Sequence, residues 1–123
     1  MKRILVIEDT EDNRQILRDL LSSAGYEIIE AVDGESGVSM AAKELPDLIL
    51  MDIQLPVIDG YEATRRLKAD PATRHIPVVA VTSYALVGDE AKAREAGCDG
   101  YVAKPFSPRL LLETVREFLG QAR

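Results

Sequence analysis

Short aliphatic segments alternate along the chain with longer segments whose apolar residues recur at helical spacing. The pattern predicts strands over residues 3–7, 26–31, 47–52, 77–81 and 100–103. Helices are predicted from about residue 12 to 24, and over 34–45, 61–69, 86–96 and 108–119. The first strand is aliphatic on both faces, which is typical of a parallel strand covered by helices. The chain is therefore predicted to be an α/β protein, a three-layer sandwich with a five-stranded parallel sheet and five helices.

The apolar residues of the first two predicted helices define the faces that we expect to be buried. In the first helix they form one stripe, which consists of Ile16, Leu17, Leu20, Leu21 and Ala24. The second helix is expected to bury Val38, Ala41 and Ala42, although Gly34 and Gly37 weaken it locally. The second strand is more polar than the first, which predicts that it lies at an edge of the sheet.

Charged and hydroxyl side chains follow four of the predicted strands. They are Glu8 and Asp9 after the first strand, Asp52 at the end of the third, Thr82 after the fourth and Lys104 after the fifth. The carboxyl ends of parallel strands meet at one edge of the sheet, and ligands of α/β proteins bind beyond that edge. We therefore expect these side chains to form one site.

Three carboxylates in one site repel each other, which raises pKa values and costs stability unless a cation neutralises them. An oxygen donor set without His or Cys favours Mg²⁺, Mn²⁺ or Ca²⁺ over zinc, and few protein ligands suit Mg²⁺ best, with Mn²⁺ as an alternative. A cation, a lysine and a hydroxyl around Asp52 would bind a tetrahedral dianion, such as a phosphoryl group. This chemistry predicts Asp52 as a nucleophile that forms an acyl phosphate.

The composition limits the class of protein further. A length of 123 residues, 46% of them hydrophobic, is enough for one domain with its own core. The net charge of -6 and the pI near 4.8 oppose direct binding to nucleic acid. The apolar runs are much shorter than the about 20 residues of a membrane span, and the amino terminus lacks a signal-peptide pattern, so we expect no membrane contact and a cytoplasmic location. Cys98 and His75 are interpreted as structural, with Cys98 as a small buried residue.

Several motifs cover the chain from Ile4 to about Leu119. They are Ile-Leu-Val-Ile-Glu-Asp (4–9), Pro-Asp-Leu-Ile-Leu-Met-Asp-Ile-Gln-Leu-Pro (46–56), Asp59-Gly60, Pro-Val-Val-Ala-Val-Thr-Ser (77–83), Ala96-Gly97-Cys98 and Gly-Tyr-Val-Ala-Lys-Pro-Phe (100–106). With these motifs the chain resembles the receiver domains of two-component response regulators, of the stand-alone type. The resemblance implies the sheet order 2-1-3-4-5 and one receiver domain over residues 1–123, without an effector domain.

The resemblance also implies a role for each acidic residue of the predicted site. Asp52 matches the phosphoacceptor of the family. Asp9, Asp52 and the backbone carbonyl of Gln54 would coordinate Mg²⁺, while Glu8 would act mainly through a bound water. Glu8 stands in place of an aspartate, a departure that occurs within the family.

Other matched positions concern the phosphoryl group and the response to it. Thr82 and Lys104 would bind phosphoryl oxygens, and the Lys104–Pro105 bond resembles a cis peptide of the family. Ser83 matches a position that is kept small so that the loop after Thr82 can move. Tyr101 matches a switch aromatic that turns inward when this loop closes.

Two further positions, Gln54 and Tyr84, match residues that tune the lifetime of the phosphate in the family. A bulky Tyr84 would shield the phosphate from attacking water. The resemblance therefore leads us to expect slow self-dephosphorylation.

The function that the resemblance implies is signalling rather than enzymatic turnover. The chain would take a phosphoryl group from a phosphohistidine of a sensor histidine kinase or a histidine phosphotransfer protein. Phosphorylation would bias a two-state element and change the face formed by the fourth helix, the fifth strand and the fifth helix. An unidentified downstream protein would bind there through apolar contacts from Leu86, Val87, Tyr101, Val102 and Pro105. For Val102, a position in the core is an equally good interpretation.

The sequence leaves three alternative functions open. A phosphohydrolase of the haloacid dehalogenase type needs a general acid two residues after its nucleophile, where this chain has Gln54. A flavodoxin-like carrier needs a Gly-, Ser- or Thr-rich first turn around a phosphate, whereas residues 8–12 here are mostly acidic. The third alternative is an interaction module that keeps the fold and works without phosphate.

Overall fold

Five strands and five helices alternate along the residues that the computed structural model describes, namely 1–82, 89–104 and 107–120. The strands are β1 (Arg3–Ile7), β2 (Glu27–Ala31), β3 (Leu48–Asp52), β4 (Val78–Thr82) and β5 (Gly100–Ala103). The helices are α1 (Glu11–Ser23), α2 (Gly34–Glu44), α3 (Gly60–Ala69), α4 (Asp89–Ala96) and α5 (Pro108–Leu119). The predicted start of the fourth helix at residue 86 lies outside the described residues. The other bounds differ from the predicted ones by one residue or none.

All strands of the sheet are parallel and lie in the order β2-β1-β3-β4-β5. This arrangement confirms the predicted fold class and sheet order, and it places β2 at an edge as its polar sequence predicted. The direction of winding reverses between β1 and β3. The carboxyl ends of these two neighbouring strands therefore form the crevice in which α/β sheets of this kind bind ligands.

Two apolar layers hold the helices against the sheet. On one face, α1 and α5 bury Leu17 and Leu111 against strand residues such as Val6. On the other face, α2, α3 and α4 cover strand residues such as Ile7 and Met51. Strands β1, β3 and β4 are buried on both faces, so that the acidic groups at the ends of β1 and β3 stand on a rigid, closely packed support.

Two of the predicted buried positions are wrong. Ile16 in α1 is 55% exposed, whereas Leu17 is buried against the sheet. Successive residues of a helix are rotated by about 100°, so that Ile16 lies beside the buried stripe rather than on it. Ala42 is exposed next to the buried Ala41 for the same reason.

Gly37 allows α2 to lie very close to β1. A Cβ atom at this position would be 2.5 Å from Cδ1 of Ile7. Glycine lowers the helix propensity of α2 at this position, but a larger residue would prevent α2 from packing this closely against β1. The helix ends at Glu44, and Leu45 follows it in the left-handed conformation with φ of 47°.

Side-chain caps stand at the starts of α2, α3 and α5. Asp33 accepts a hydrogen bond from the N–H of Ser36 at 2.8 Å, and Asp59 accepts one from the N–H of Glu62 at 2.9 Å. The hydroxyl of Ser107 does the same for α5. These caps define where α2, α3 and α5 start relative to the strand ends before them.

In the described part of the chain, no helix has the length and apolar character needed to span a membrane. Cys98 is 7% exposed, which confirms its predicted burial.

Candidate functional site

Three carboxylates meet where β1 and β3 end. Glu8 and Asp9 follow β1 directly, and Asp52 is the last residue of β3. One oxygen from each of these three residues lies within 4.8 Å of the others. Glu8 and Asp52 are buried, at 2% and 5% exposure, while Asp9 is exposed. The structure therefore brings the predicted acidic residues together in a cluster that is open to solvent on the side of Asp9.

Lys104, directly after β5, supplies a positive charge to this cluster. Its Nζ donates a hydrogen bond to Oε1 of Glu8 at 2.8 Å and lies 3.9 Å from Oδ1 of Asp52. The lysine side chain is 16% exposed, so that solvent screens these contacts weakly. The sequence predicted Lys104 in the site, but not that Glu8 would be its nearer partner.

Backbone N–H groups hold the two buried carboxylates in place. The N–H of Thr10 donates to Oε2 of Glu8 at 3.1 Å, and the N–H of Gln54 donates to Oδ1 of Asp52 at 3.1 Å. These bonds are local, since each donor is two residues after its acceptor. The turns that follow β1 and β3 thus orient the acidic side chains at the strand ends.

The two buried carboxylates have opposite pKa shifts. Burial raises the pKa of Asp52 to about 7, and the negative charge of Glu8 adds to this effect. Burial also acts to raise the pKa of Glu8, but the hydrogen bonds from Lys104 and the N–H of Thr10 outweigh it and lower that pKa. The expectation of raised pKa values is therefore confirmed for Asp52 and wrong for Glu8, because Lys104 pairs mainly with Glu8.

The donor set fits a hard divalent cation. It consists of carboxylate oxygens from Glu8, Asp9 and Asp52, with one lysine charge beside them. The raised pKa of Asp52 shows that its negative charge lacks full compensation from the protein. Oxygen donors with one side open to water match the coordination preferences of Mg²⁺. The residues present could therefore hold Mg²⁺ or Mn²⁺.

Gly60 brings the start of α3 against the backbone of Asp52. A Cβ atom on Gly60 would be 2.3 Å from the carbonyl oxygen of Asp52 and 2.7 Å from Cα of Ile53. The N–H of Gly60 donates to the carbonyl of Ile53 at 2.9 Å. Gly60 was noted only as part of an Asp-Gly motif, and its packing role depends on the folded path of the β3–α3 loop.

Thr82 lies at the same edge, as the last residue of β4. It is 1% exposed, and its carbonyl accepts a hydrogen bond from the N–H of Lys104 at 2.7 Å. This contact ties the end of β4 to the residue that carries the lysine charge. Tyr101 in β5 is half-buried and packs against the apolar layer under α2, α3 and α4.

Some predicted positions lie outside the described residues. These are Ser83, Tyr84, Leu86, Val87 and Pro105, with the Lys104–Pro105 peptide bond. Val102, for which the sequence left the output face and the core equally open, is 3% exposed and belongs to the core under α1 and α5. Strand alternation explains this outcome, because Val102 and Tyr101 point to opposite faces of the sheet.

A family model matches most of the chain. The model of the response regulator receiver domain matches residues 4–116. The polar-differentiation response regulator DivK of Brucella anthropi is 46% identical over 121 residues, which cover 98% of each chain. DivK of Brucella abortus strain 2308 has the same identity and coverage.

Solved structures of receiver domains and response regulators share this fold. The receiver domain of sensor histidine kinase PA1611 from Pseudomonas aeruginosa has a TM-score of 0.90 and 38% identity, with 98% of both chains covered. That structure contains a magnesium ion coordinated in the active site cleft. The chemotaxis response regulator CheY4 of Vibrio cholerae has a TM-score of 0.90 and 28% identity, over 96% of this chain and 98% of that one.

Proposed function

The chain belongs to the receiver domains of two-component response regulators, and from this premise we propose that it accepts a phosphoryl group on Asp52. The observation that carries the proposal is the placement of Asp52, a buried carboxylate at the end of β3 beside Lys104 and two further acids. A buried carboxylate next to other acids is costly, and such groups cluster at functional sites.

The proposed reaction is a transfer from a phosphohistidine to a carboxylate. An oxygen of Asp52 attacks the phosphorus atom, and a new O–P bond forms as the N–P bond to the imidazole breaks. The electron pair of the broken bond stays on the histidine nitrogen. The nucleophile must be ionised, whereas burial raises the pKa of Asp52 to about 7, so a bound cation would supply the positive charge that favours the carboxylate form.

We propose that Asp9, Asp52 and the backbone carbonyl of Gln54 hold Mg²⁺, or Mn²⁺ in its place, with Glu8 acting through a water. When bound, the cation would neutralise charge on the carboxylates and on the phosphoryl oxygens. The N–H of Gln54 already contacts Asp52 at 3.1 Å, so that its peptide group lies next to the acceptor.

Lys104 and Thr82 are proposed to bind the phosphoryl oxygens. Nζ of Lys104 is 3.9 Å from Asp52 in the unphosphorylated protein and 2.8 Å from Glu8. A phosphoryl oxygen on Asp52 would thus compete with Glu8 for Lys104. The backbone N–H of Lys104 donates to the carbonyl of Thr82 at 2.7 Å, which holds the residue that carries the lysine charge next to the end of β4.

The response to phosphorylation is proposed to involve Thr82, Ser83 and Tyr101. Closure of Thr82 on the phosphate would favour a conformation with Tyr101 turned inward, and so change the face formed by α4, β5 and α5. Gln54 and Tyr84 are proposed to set the lifetime of the phosphate, with Tyr84 slowing hydrolysis. A phosphate that is lost within seconds in Mg²⁺ buffer would contradict this last assignment.

The partners are proposed from the family. A sensor histidine kinase or a histidine phosphotransfer protein would donate the phosphoryl group, and a downstream protein would bind the altered face. The match to DivK over nearly the whole length of that relative supports a role as a response regulator of this kind. The net charge of -6 supports a protein partner rather than nucleic acid. A cytoplasmic location stays a prediction.

The test is incubation with Mg²⁺ and acetyl phosphate, followed by mass spectrometry of the intact protein. We expect one phosphoryl group on the wild type and none on Asp52→Asn. Asp19→Asn, at an exposed position of α1, is the matched control and should be labelled like the wild type. Beryllofluoride should change the NMR spectrum of the wild type and leave that of Asp52→Asn unchanged.

Two outcomes would contradict the proposal. If the wild type shows neither label nor spectral change, the chain is an interaction module that works without phosphate. If it hydrolyses a phosphomonoester with rapid turnover, it is a phosphohydrolase.

A further inference from the structure

Arg14 in α1 connects three parts of the molecule through one guanidinium group. Its Nη1 donates to the backbone carbonyl of Glu8 at 2.8 Å, and its Nη2 donates to the carboxylate of Glu11. Its Nε lies 3.4 Å from Oε1 of Glu30 in β2. The side chain is 11% exposed, so that the guanidinium is held between α1, β2 and the turn after β1.

The contact to Glu8 acts on the backbone of the acidic cluster. The carbonyl of Glu8 belongs to the peptide group that joins Glu8 to Asp9, two of the three acids in the cluster. Because a peptide group is planar, the direction of this carbonyl also sets the direction of the N–H of Asp9. The N–H of Glu8 donates to Ala31 at 3.1 Å, so that Glu8 is held on both sides.

An arginine suits this position better than a lysine. The guanidinium is planar and has five donors in a fixed arrangement, so one side chain can bind a carbonyl and two carboxylates in different directions. A lysine ammonium would reach fewer of these partners at once. The three contacts of Arg14 use separate nitrogen atoms, as this geometry allows.

We infer that Arg14 is a positioning residue of the cation site, which fixes the Glu8–Asp9 peptide and thereby the spacing of the acidic side chains. The inference rests on the proposed function, since it assigns Arg14 to a cation site that phosphoryl transfer requires. Groups that orient metal ligands typically contribute about 10-fold or more to metal affinity.

Arg18 provides a matched control. It lies one turn further along α1, and its Nη1 is 2.8 Å from the carboxylate of Glu30. Its Nη2 is 3.6 Å from Glu11. Arg18 thus shares both acidic partners with Arg14, and its hydrogen bonds and ion pairs are to these carboxylates rather than to the backbone of Glu8. Arg14→Met and Arg18→Met each remove one guanidinium from this ion-pair network, but only Arg14→Met removes the bond to Glu8.

The first experiment measures Mn²⁺ binding by the electron paramagnetic resonance signal of the free ion. We expect Arg14→Met to weaken Mn²⁺ binding by about 10-fold. Arg18→Met should bind Mn²⁺ like the wild type. Arg14→Lys should lie between Arg14→Met and the wild type, because the ammonium retains one donor for the carbonyl of Glu8.

The second experiment measures phosphorylation by acetyl phosphate at increasing Mg²⁺ concentration. Arg14→Met should need about 10-fold more Mg²⁺ for half-maximal rate. The rate at saturating Mg²⁺ should equal that of the wild type, because Arg14 acts on the cation site and not on the phosphoryl group. A general loss of structure would lower the maximal rate as well.

Unchanged Mn²⁺ affinity in Arg14→Met would overturn the inference, and so would equal losses in Arg14→Met and Arg18→Met. If circular dichroism shows that Arg14→Met is unfolded, the Mn²⁺ affinities of Arg14→Lys and Arg18→Lys are compared instead. Equal losses of affinity in these two variants would then overturn the inference. Failure of the wild type to bind Mn²⁺ would contradict the proposed function as well. Normal binding by the wild type with unaffected Arg14 variants would contradict the inference alone.

Discussion

Two lysine–carboxylate contacts lie at opposite ends of the parallel strands, and they differ in how completely their charges are balanced. The side of the sheet where the strands begin is called the amino edge, and the side where they end is called the carboxyl edge. At the amino edge, Nζ of Lys68 donates to Oδ2 of Asp99 at 2.9 Å and to the carbonyls of Ile76 and Arg74 at 2.8 and 3.2 Å. The same oxygen of Asp99 accepts the N–H of Val78 at 2.9 Å. An ammonium has three donors, and here each has an acceptor.

At the carboxyl edge, Lys104 faces three carboxylates. It lies close to Glu8, and burial together with the charge of Glu8 raises the pKa of Asp52 to about 7. This difference distinguishes a structural contact at the amino edge from a candidate functional site at the carboxyl edge. The amino edge joins α3 to the starts of β4 and β5 with matched groups, whereas the carboxyl edge has an excess of negative charge that a cation would compensate.

The largest expected effect separates the two lysines by function. Lys104→Met should slow phosphorylation of Asp52 by acetyl phosphate by about 100-fold, because the phosphoryl oxygens lose a positive charge in a buried site. Lys68→Met should be phosphorylated at the wild-type rate. The rates are measured by intact mass at fixed Mg²⁺. Equal rates for the two variants would break the distinction between the edges.

Two glycines allow a similar comparison of packing. Gly60→Ala would place Cβ 2.3 Å from the carbonyl oxygen of Asp52, so that the backbone must shift. We expect it to lower the free energy of unfolding by about 2.5 kcal/mol and to weaken Mn²⁺ binding. Gly100→Ala, at the amino edge, would contact the ring of Phe118 at 3.1 Å, a side chain that can move.

Gly100→Ala should therefore cost clearly less stability and leave Mn²⁺ binding unchanged. Urea denaturation gives the stabilities, and the Mn²⁺ titration gives the affinities. A Gly60→Ala protein with wild-type Mn²⁺ affinity would show that the backbone of Asp52 tolerates displacement.

The unbalanced charge at the carboxyl edge should appear as a pH-dependent loss of stability. The folded pKa of Asp52 is about 7, against an ordinary value of 3.8, so that the folded state holds this proton to higher pH than the unfolded chain. The contribution of Asp52 to the free energy of unfolding therefore falls as the pH rises from 3.8 to about 7. The difference in pKa sets an upper limit of about 4 kcal/mol, and we expect about half of it.

In EDTA, Asp52→Asn should consequently stabilise the protein by about 2 kcal/mol at a pH above the folded pKa of about 7. At a pH near the ordinary pKa of 3.8 the stabilisation should be small. Urea denaturation across this pH range measures the effect, with Asp19→Asn as the control. Mg²⁺ should reduce the difference, because it binds the wild type more tightly than the variant. If Asp52→Asn is less stable than the wild type in EDTA at the high-pH end, the charge of Asp52 is better compensated than its pKa indicates.

The residues of the carboxyl edge could be predicted because topology brings strand ends together. Once alternating strands and helices are recognised, Glu8, Asp9 and Asp52 must approach each other whatever their exact conformations. The choice of Lys104 between Glu8 and Asp52 could not be predicted. It depends on about an ångström in the position of Nζ, which hydrophobic patterning does not report.

The contacts of Arg14 and Lys68 were missed for a related reason. Lys68 and Asp99 are 31 residues apart, and nothing in their local sequence marks them as partners. Arg14 has a local signal, since Glu11 lies three residues before it in α1, but this spacing is common on helix surfaces. Its bond to a backbone carbonyl became visible only in the folded turn after β1.

The smallest expected effect concerns the balanced contact at the amino edge. Asp99→Asn keeps an oxygen for the N–H of Val78 but removes the charge that faces Lys68 at 2.9 Å. We expect it to lower the free energy of unfolding by about 1 kcal/mol, because a partly exposed ion pair contributes little. The same Asp-to-Asn change thus destabilises one edge and stabilises the other, and urea denaturation of both variants in EDTA would measure the opposite signs. A gain of stability in Asp99→Asn would mean that the negative charge at the amino edge is also in excess, and that the contrast between the edges is one of solvent exposure alone.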